Sequence, residues 1–133
     1  PLARALRCGG LVLAALQDVA LSYLRRTATA DLAFWAMAAR PVESIRLRAA
    51  QIVESAGVGS VIATDAVPGA DSAPGRTIPS AGIVVAGDRL TELRAHATPV
   101  IARTRDGRTV LDLRSVDPAD DPIVTDALRS LNP

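Results

Sequence analysis

The hydrophobic period of the chain changes at Gly57, and that change constrains the fold more than any other feature. Before it, Ile45, Ala49, Ile52 and Val53 recur at three- and four-residue spacing opposite a polar face of Glu43, Arg46, Gln51 and Glu54, which predicts an amphipathic helix. Pro41 suits the first helical position, Glu43 places an anion in the first turn, and Gly57 offers a left-handed stop. After it, Ser60 to Val67 and Ile78 to Val85 are rich in Val, Ile and Thr and predict strands. Two more strands are predicted from Pro99 to Arg105 and from Arg108 to Leu113, joined by Asp106-Gly107, whose residues both tolerate the positive φ of a tight hairpin. Gly87-Asp88 opens a short helix through Leu90, Leu93 and Arg94 that ends near His96. Asp121-Pro122 starts a last helix through Ile123, Val124, Ala127, Leu128 and Leu131. Upstream, Leu11 to Arg26 predicts a helix with Val12, Leu13, Leu16, Val19, Ala20, Tyr23 and Leu24 on its apolar side, closed by Arg25 and Arg26. Thr27 to Ala30 reads as a linker, and Asp31 as the cap of a helical turn from Leu32 to Ala38. Helices followed by strand, strand, helix, strand, strand, helix make an α+β chain, a mostly antiparallel sheet packed with helices.

Composition narrows the chemistry. All 15 basic side chains are Arg, so the chain has no amine for a pyridoxal-phosphate Schiff base and no P-loop lysine. The formal net charge is +1, without the basic excess of a free-standing RNA-binding domain. Hydrophobic residues make up 49% and aromatic ones 2%, so the core must be aliphatic, with Tyr23, Phe34 and Trp35 as isolated bulky members. A single cysteine, Cys8, excludes an internal disulfide or a Cys-based zinc site and points to a reducing compartment. The apolar run from Leu11 to Leu16 is far shorter than the roughly 18 residues of a membrane span. No signal-peptide cleavage pattern follows it, and the start at Pro1 without Met reads as a fragment or a processed product.

Several residues carry possible chemistry. On a helical turn Arg4 and Arg7 share a face and can converge on one phosphate or carboxylate; the alternative is two solvated arginines ahead of an apolar helix. Cys8 follows a cation that would favour its thiolate, yet the only partner for it is His96, which reads as a solvated or capping residue. The loop from Pro68 to Thr77, with Ser72 and Arg76, leads into a strand rather than a helix and so reads as a connection, not a phosphate cradle. Asp117, Asp120 and Asp121 read as turn and capping residues before the last helix. No metal site is expected.

Five segments in order resemble the C-terminal part of the bacterial L-seryl-tRNA(Sec) selenium transferase family, the selenocysteine synthases. They are Pro1-Leu2-Ala3-Arg4-Ala5-Leu6-Arg7 with Leu13-Ala14-Ala15-Leu16; Arg40-Pro41; Asp71-Ser72-Ala73-Pro74-Gly75-Arg76-Thr77-Ile78-Pro79-Ser80; Thr98-Pro99-Val100-Ile101-Ala102-Arg103; and Asp106-Gly107-Arg108-Thr109-Val110-Leu111-Asp112-Leu113-Arg114.

The resemblance implies the small C-terminal domain of an aspartate-aminotransferase-like, fold type I enzyme. Residues 1–40 would be a connecting helical segment from the large domain and residues 41–133 the small α+β domain. It implies a cytoplasmic homo-oligomer without membrane or metal, which converts seryl-tRNA(Sec) to selenocysteinyl-tRNA(Sec) with selenophosphate. Its cofactor is pyridoxal 5'-phosphate, attached through a Lys upstream of this chain, so the fragment alone is expected to be inactive. The family's two arginines that hold the anionic selenium donor fall on Arg4 and Arg7. After Arg7 the family continues Val-Asp-Lys, where this chain has Cys8-Gly9-Gly10, and its Gly-rich loop is thinned to Gly69-Ala70-Asp71-Ser72. These departures leave open a related lyase acting on a phosphorylated sugar acid, or a non-catalytic assembly and anion-binding module.

Overall fold

The computed structural model describes residues 7–69 and 73–132. They fall into two compact units, divided between Ala39 and Arg40.

The regular elements among the described residues of the first unit are all helices: α1 (Gly10–Leu24), α2 (Ala28–Asp31) and α3 (Ala33–Ala38). α1 ends where Arg25 caps it and Arg26 turns left-handed at φ 59°. The expected linker from Thr27 to Ala30 is largely the single turn α2, and Asp31 closes that turn rather than capping α3. The reason is local hydrogen bonding. Asp31 Oδ2 accepts from the hydroxyls of Ser22 and Thr27, which ties the end of α2 back to α1 and leaves Leu32, extended at ψ 116°, as the residue before α3. No residue of α1, α2 or α3 is buried. The three aromatics are not isolated core members, as their scarcity suggested. Trp35 meets both Tyr23 and Phe34 edge to face, and its indole N–H donates to the Tyr23 hydroxyl.

The second unit holds the core. α4 (Val42–Ala56) buries Ile45, Ala49, Ile52 and Ala56 on one stripe and stops at Gly57, whose φ of 70° is the left-handed value the sequence called for. Pro41 stands one place earlier than expected, as the N-cap, because its ψ of 134° is extended and its carbonyl receives the amides of Ser44 and Ile45. The strands are β1 (Ser60–Ala66), β2 (Ile78–Ala86), β3 (Arg103–Arg105) and β4 (Arg108–Asp112), all antiparallel in the order β1-β2-β4-β3. The architecture is therefore α+β, as the periodicities predict.

β3 is shorter than the run from Pro99 suggests. The Val100 amide donates to the Leu93 carbonyl of α5 (Leu90–Ala95), which turns this stretch toward the helix and sends Val100 into the core instead of along β4. Asp106 and Gly107 take φ values of 51° and 69° and make the expected tight hairpin. A 3-10 turn (Pro118–Asp120) leads into α6 (Asp121–Arg129), which buries Val124, Ala127 and Leu128.

Alternation along the strands gives the sheet two different faces. Ala81, Ile83, Val85 and Leu111, with Leu113 beyond the end of β4, join Ile45, Ala49, Ile52, Leu93, Val124 and Leu128 in one aliphatic core. The other face carries Ile62 and Thr64 of β1, Ser80, Gly82 and Val84 of β2, Val110 and Asp112 of β4, and the arginines of the β3–β4 hairpin. Gly82 is needed where β2 and β4 approach: a Cβ there would lie 2.1 Å from the Leu111 carbonyl oxygen.

Candidate functional site

The two arginines singled out from the sequence are treated unequally by the structure. Arg4 lies outside the described residues, as does Ser72 of the β1–β2 loop. Arg7 is exposed and precedes α1 without belonging to a helix. Cys8 is a free, exposed thiol. His96 caps α5, with its ring Nδ1 3.2 Å from the Thr98 carbonyl. Asp117 accepts from the Ala119 amide at 2.9 Å, the turn-capping role expected of it. Asp121 does more than start a helix, because it receives an arginine from α4.

That arginine is Arg48. Its Nε lies 2.9 Å from Asp121 Oδ2 and its Nη2 pairs with Oδ1, a two-pronged contact with side chains only 12% and 23% exposed. Arg48 also donates to the carbonyls of Leu113 and Val116. With all these groups matched, the pair clamps α4 to α6 and presents no free charge to a substrate.

A second polar cluster lies on the sheet face away from the core. Asp112 Oδ2 accepts from the Thr64 hydroxyl at 2.6 Å, while Oδ1 accepts from the Ser80 hydroxyl at 2.8 Å and the Arg114 amide at 3.0 Å. Thr64, Ser80 and Arg114 are 5%, 2% and 5% exposed, so the cluster is well shielded from solvent. The Arg114 guanidinium donates to the carbonyls of Arg40 and Pro79, which fastens the entry to α4 onto β2. With its oxygens engaged by hydroxyls of β1 and β2 and by the Arg114 amide, Asp112 organises the strands.

The third cluster is basic. Arg103, Arg105 and Arg108 lie on the same sheet face as Asp112, all exposed, and the register sets Arg105 directly opposite Arg108. None of the three was singled out from the sequence. The signal was present, because Arg103-Thr104-Arg105 alternates at strand spacing and Asp106-Gly107 fixes the register that faces Arg105 with Arg108. Sequence reading also passed over Arg48 and Arg114, since a pairing such as Arg48 with Asp121 spans 73 positions and is set by packing.

No cluster of metal-ligating side chains and no helix long and apolar enough to cross a membrane occurs among the described residues. Nor does the chain contain a lysine. Comparison with known proteins gives these clusters a context. The family model for L-seryl-tRNA selenium transferase matches residues 1–117. The L-seryl-tRNA(Sec) selenium transferase of Mannheimia succiniciproducens is 32% identical over 99% of this chain, and that of Geobacter sulfurreducens is 32% identical over 98%. In both cases the aligned part is 31% of the relative, so the chain spans about a third of the length of these curated relatives. With the match running from Pro1 through the Asp112–Arg114 segment that organises the sheet, the chain belongs to the L-seryl-tRNA selenium transferase family.

Proposed function

We propose that the protein carrying this chain converts seryl-tRNA(Sec) to selenocysteinyl-tRNA(Sec) with selenophosphate as donor. The observation that supports this reading is the family match over residues 1–117 together with the near-complete coverage of the chain by two selenium transferases. In this reading residues 41–133 are the small C-terminal domain of a fold type I enzyme that works in the cytoplasm as a homo-oligomer, and residues 1–40 connect it to the large domain.

The family's cofactor, pyridoxal 5'-phosphate, is held through a lysine amine, and this chain has none. Its residues therefore do not fit the anchoring of the cofactor, which falls to another part of the protein. What this chain contributes is charge. Arg4 and Arg7 hold the anionic donor by paired, charge-assisted hydrogen bonds, which orient it and offset its negative charge as it approaches the reacting carbon.

The test is formation of selenocysteinyl-tRNA at limiting selenophosphate by the protein that carries the chain. Arg4→Ala or Arg7→Ala removes one charge-assisted contact worth about 1.5–3 kcal/mol, which corresponds to a rise in the donor concentration needed of roughly 10- to 150-fold. Undiminished product formation by both variants at limiting donor rejects the role of the arginines. Absence of selenocysteinyl-tRNA from the unsubstituted protein rejects the selenium-transfer reading itself.

A further inference from the structure

The β3–β4 hairpin breaks a rule of sheet pairing. Like charges set directly opposite each other on one face are destabilising, yet Arg105 and Arg108 are register partners, and Arg103 lies on the same face two residues from Arg105. Acidic neighbours do little to relieve this. Asp106 is 3.8 Å from Arg105, but both side chains are more than 60% exposed, where such a pair contributes little. Asp112 comes only within 4.0 Å of Arg103, and its oxygens already accept from Thr64, Ser80 and the Arg114 amide. Arg108 has no ion pair among the described residues.

The floor beneath the arginines is apolar. Val84 and Val110 are 7% and 2% exposed although they point away from the core. One shallow cavity of about 250 Å³ is lined by Ile62, Val84, Val110, Arg105 and Arg108 with Asp106 at its edge, and a second of about 200 Å³ by Ile101, Val110, Arg103 and the hydrogen-bonded Asp112. Arginine stems lying over apolar side chains leave their heads in water, which explains how the valines are covered while the arginines stay exposed. Val110 lines both cavities, so the three cations flank neighbouring hollows on one sheet face.

From this geometry we infer that Arg103, Arg105 and Arg108 form a binding track for a phosphodiester backbone, and that its occupant is RNA. Two residues along a strand span about 7 Å, which sets Arg103 apart from the Arg105–Arg108 pair, so the three charges are not focused on one point. An open group of guanidiniums spread in this way suits a polymer with regularly repeated phosphates better than a single small anion, which could meet the Arg105–Arg108 pair but would leave Arg103 unmatched. The like-charge pairing is then the cost of a site whose counter-charge arrives with the ligand. Naming RNA as the polyanion rests on the tRNA-dependent function proposed above, whereas the anion track rests on the hairpin alone.

The test uses the protein that carries this chain and an in vitro transcribed tRNA(Sec), with binding followed by fluorescence anisotropy across a salt series. Glutamine keeps part of each stem over the valines, so the variant is Arg103→Gln, Arg105→Gln and Arg108→Gln together, paired with the three Arg→Lys changes. The glutamine variant is expected to bind roughly 10- to 100-fold more weakly, with the slope of log affinity against log salt reduced by about 2–3, while the lysine variant keeps the slope. Unchanged slope and affinity in the glutamine variant overturn the track. So does an equal loss in the lysine variant, because charge would then not carry the binding. Concentration-dependent self-association that the glutamine variant abolishes, with tRNA binding intact, overturns it in favour of a second copy. Hairpin-dependent tRNA binding by a protein that makes no selenocysteinyl-tRNA supports the track and rejects the proposed function. Selenocysteinyl-tRNA formation with hairpin-independent binding does the reverse.

Discussion

The two units of the chain are similarly rich in aliphatic residues but use them in opposite ways. In the second unit α4, α6 and the sheet enclose Ile45, Ile83, Leu93, Leu113 and Leu128 with 1% exposure or less. In the first, Leu11, Leu13, Leu16 and Leu24 of α1 are 55–89% exposed, and the aromatic trio that might have made a nucleus is itself 38–51% exposed. A helix apolar on most sides is normally a buried one in water-soluble proteins, yet no residue of α1 is buried, whereas α4 buries a continuous stripe. Hydrophobic content alone does not make a core. The second unit has a sheet for its helices to pack against, and the described residues of the first contain none.

This contrast is open to direct attack, and the largest expected effect is in the second unit. Leu113→Ala removes a fully buried side chain and should cost about 3–4 kcal/mol in a denaturant titration that follows the sheet. Gly82→Ala should cost about 1–3 kcal/mol by a different route, because its Cβ meets the Leu111 carbonyl and β2 must move away from β4. Leu16→Ala in α1 is the counterpart and should change the stability of the chain by less than about 0.5 kcal/mol, since its side chain is already 57% exposed. A large loss from Leu16→Ala would mean that α1 is covered in solution, and the contrast between the units would fail.

How far this division could be read in the sequence depends on whether a feature was local or distant. The stop at Gly57, the Asp106-Gly107 hairpin and the core stripe of α4 each follow from residues within a few positions of one another, and the structure has them. The truncation of β3 does not, because it depends on the Val100 amide finding the Leu93 carbonyl of a different element. The same holds for the basic track. Strand alternation puts Arg103 and Arg105 on one face, but only the register across the hairpin adds Arg108 to them, and only the fold shows that Asp112 is already occupied. The family resemblance alone points to Arg4 and Arg7 as a candidate anion site, and Arg4 lies outside the described residues. The hairpin arginines were not read at all, since three exposed arginines in a chain with 15 look like ordinary surface until their register is known.

The smallest expected effect tests what holds the first unit together in the absence of a core. Asp31 has its pKa held below the ordinary carboxylate value, first by the Thr27 hydroxyl, then by that of Ser22, with a smaller attraction from Arg25 and a partial offset from desolvation. A carboxyl whose folded pKa is depressed contributes stability above its unfolded value, near 3.9, and loses it as pH falls through the lower folded value. The joint between α1 and α2 should therefore loosen only below about pH 4, well under neutrality. Following the Ser22, Thr27 and Asp31 resonances by NMR from pH 6 to pH 2 gives the measurement, with Asp31→Asn as the control that cannot titrate. The unsubstituted chain should shift those resonances with a midpoint below the ordinary value while the variant stays flat. A midpoint at or above the ordinary value would show that the hydroxyl bonds do not persist in solution. The first unit would then lose this tie between α1 and α2, making the difference between the two units wider still.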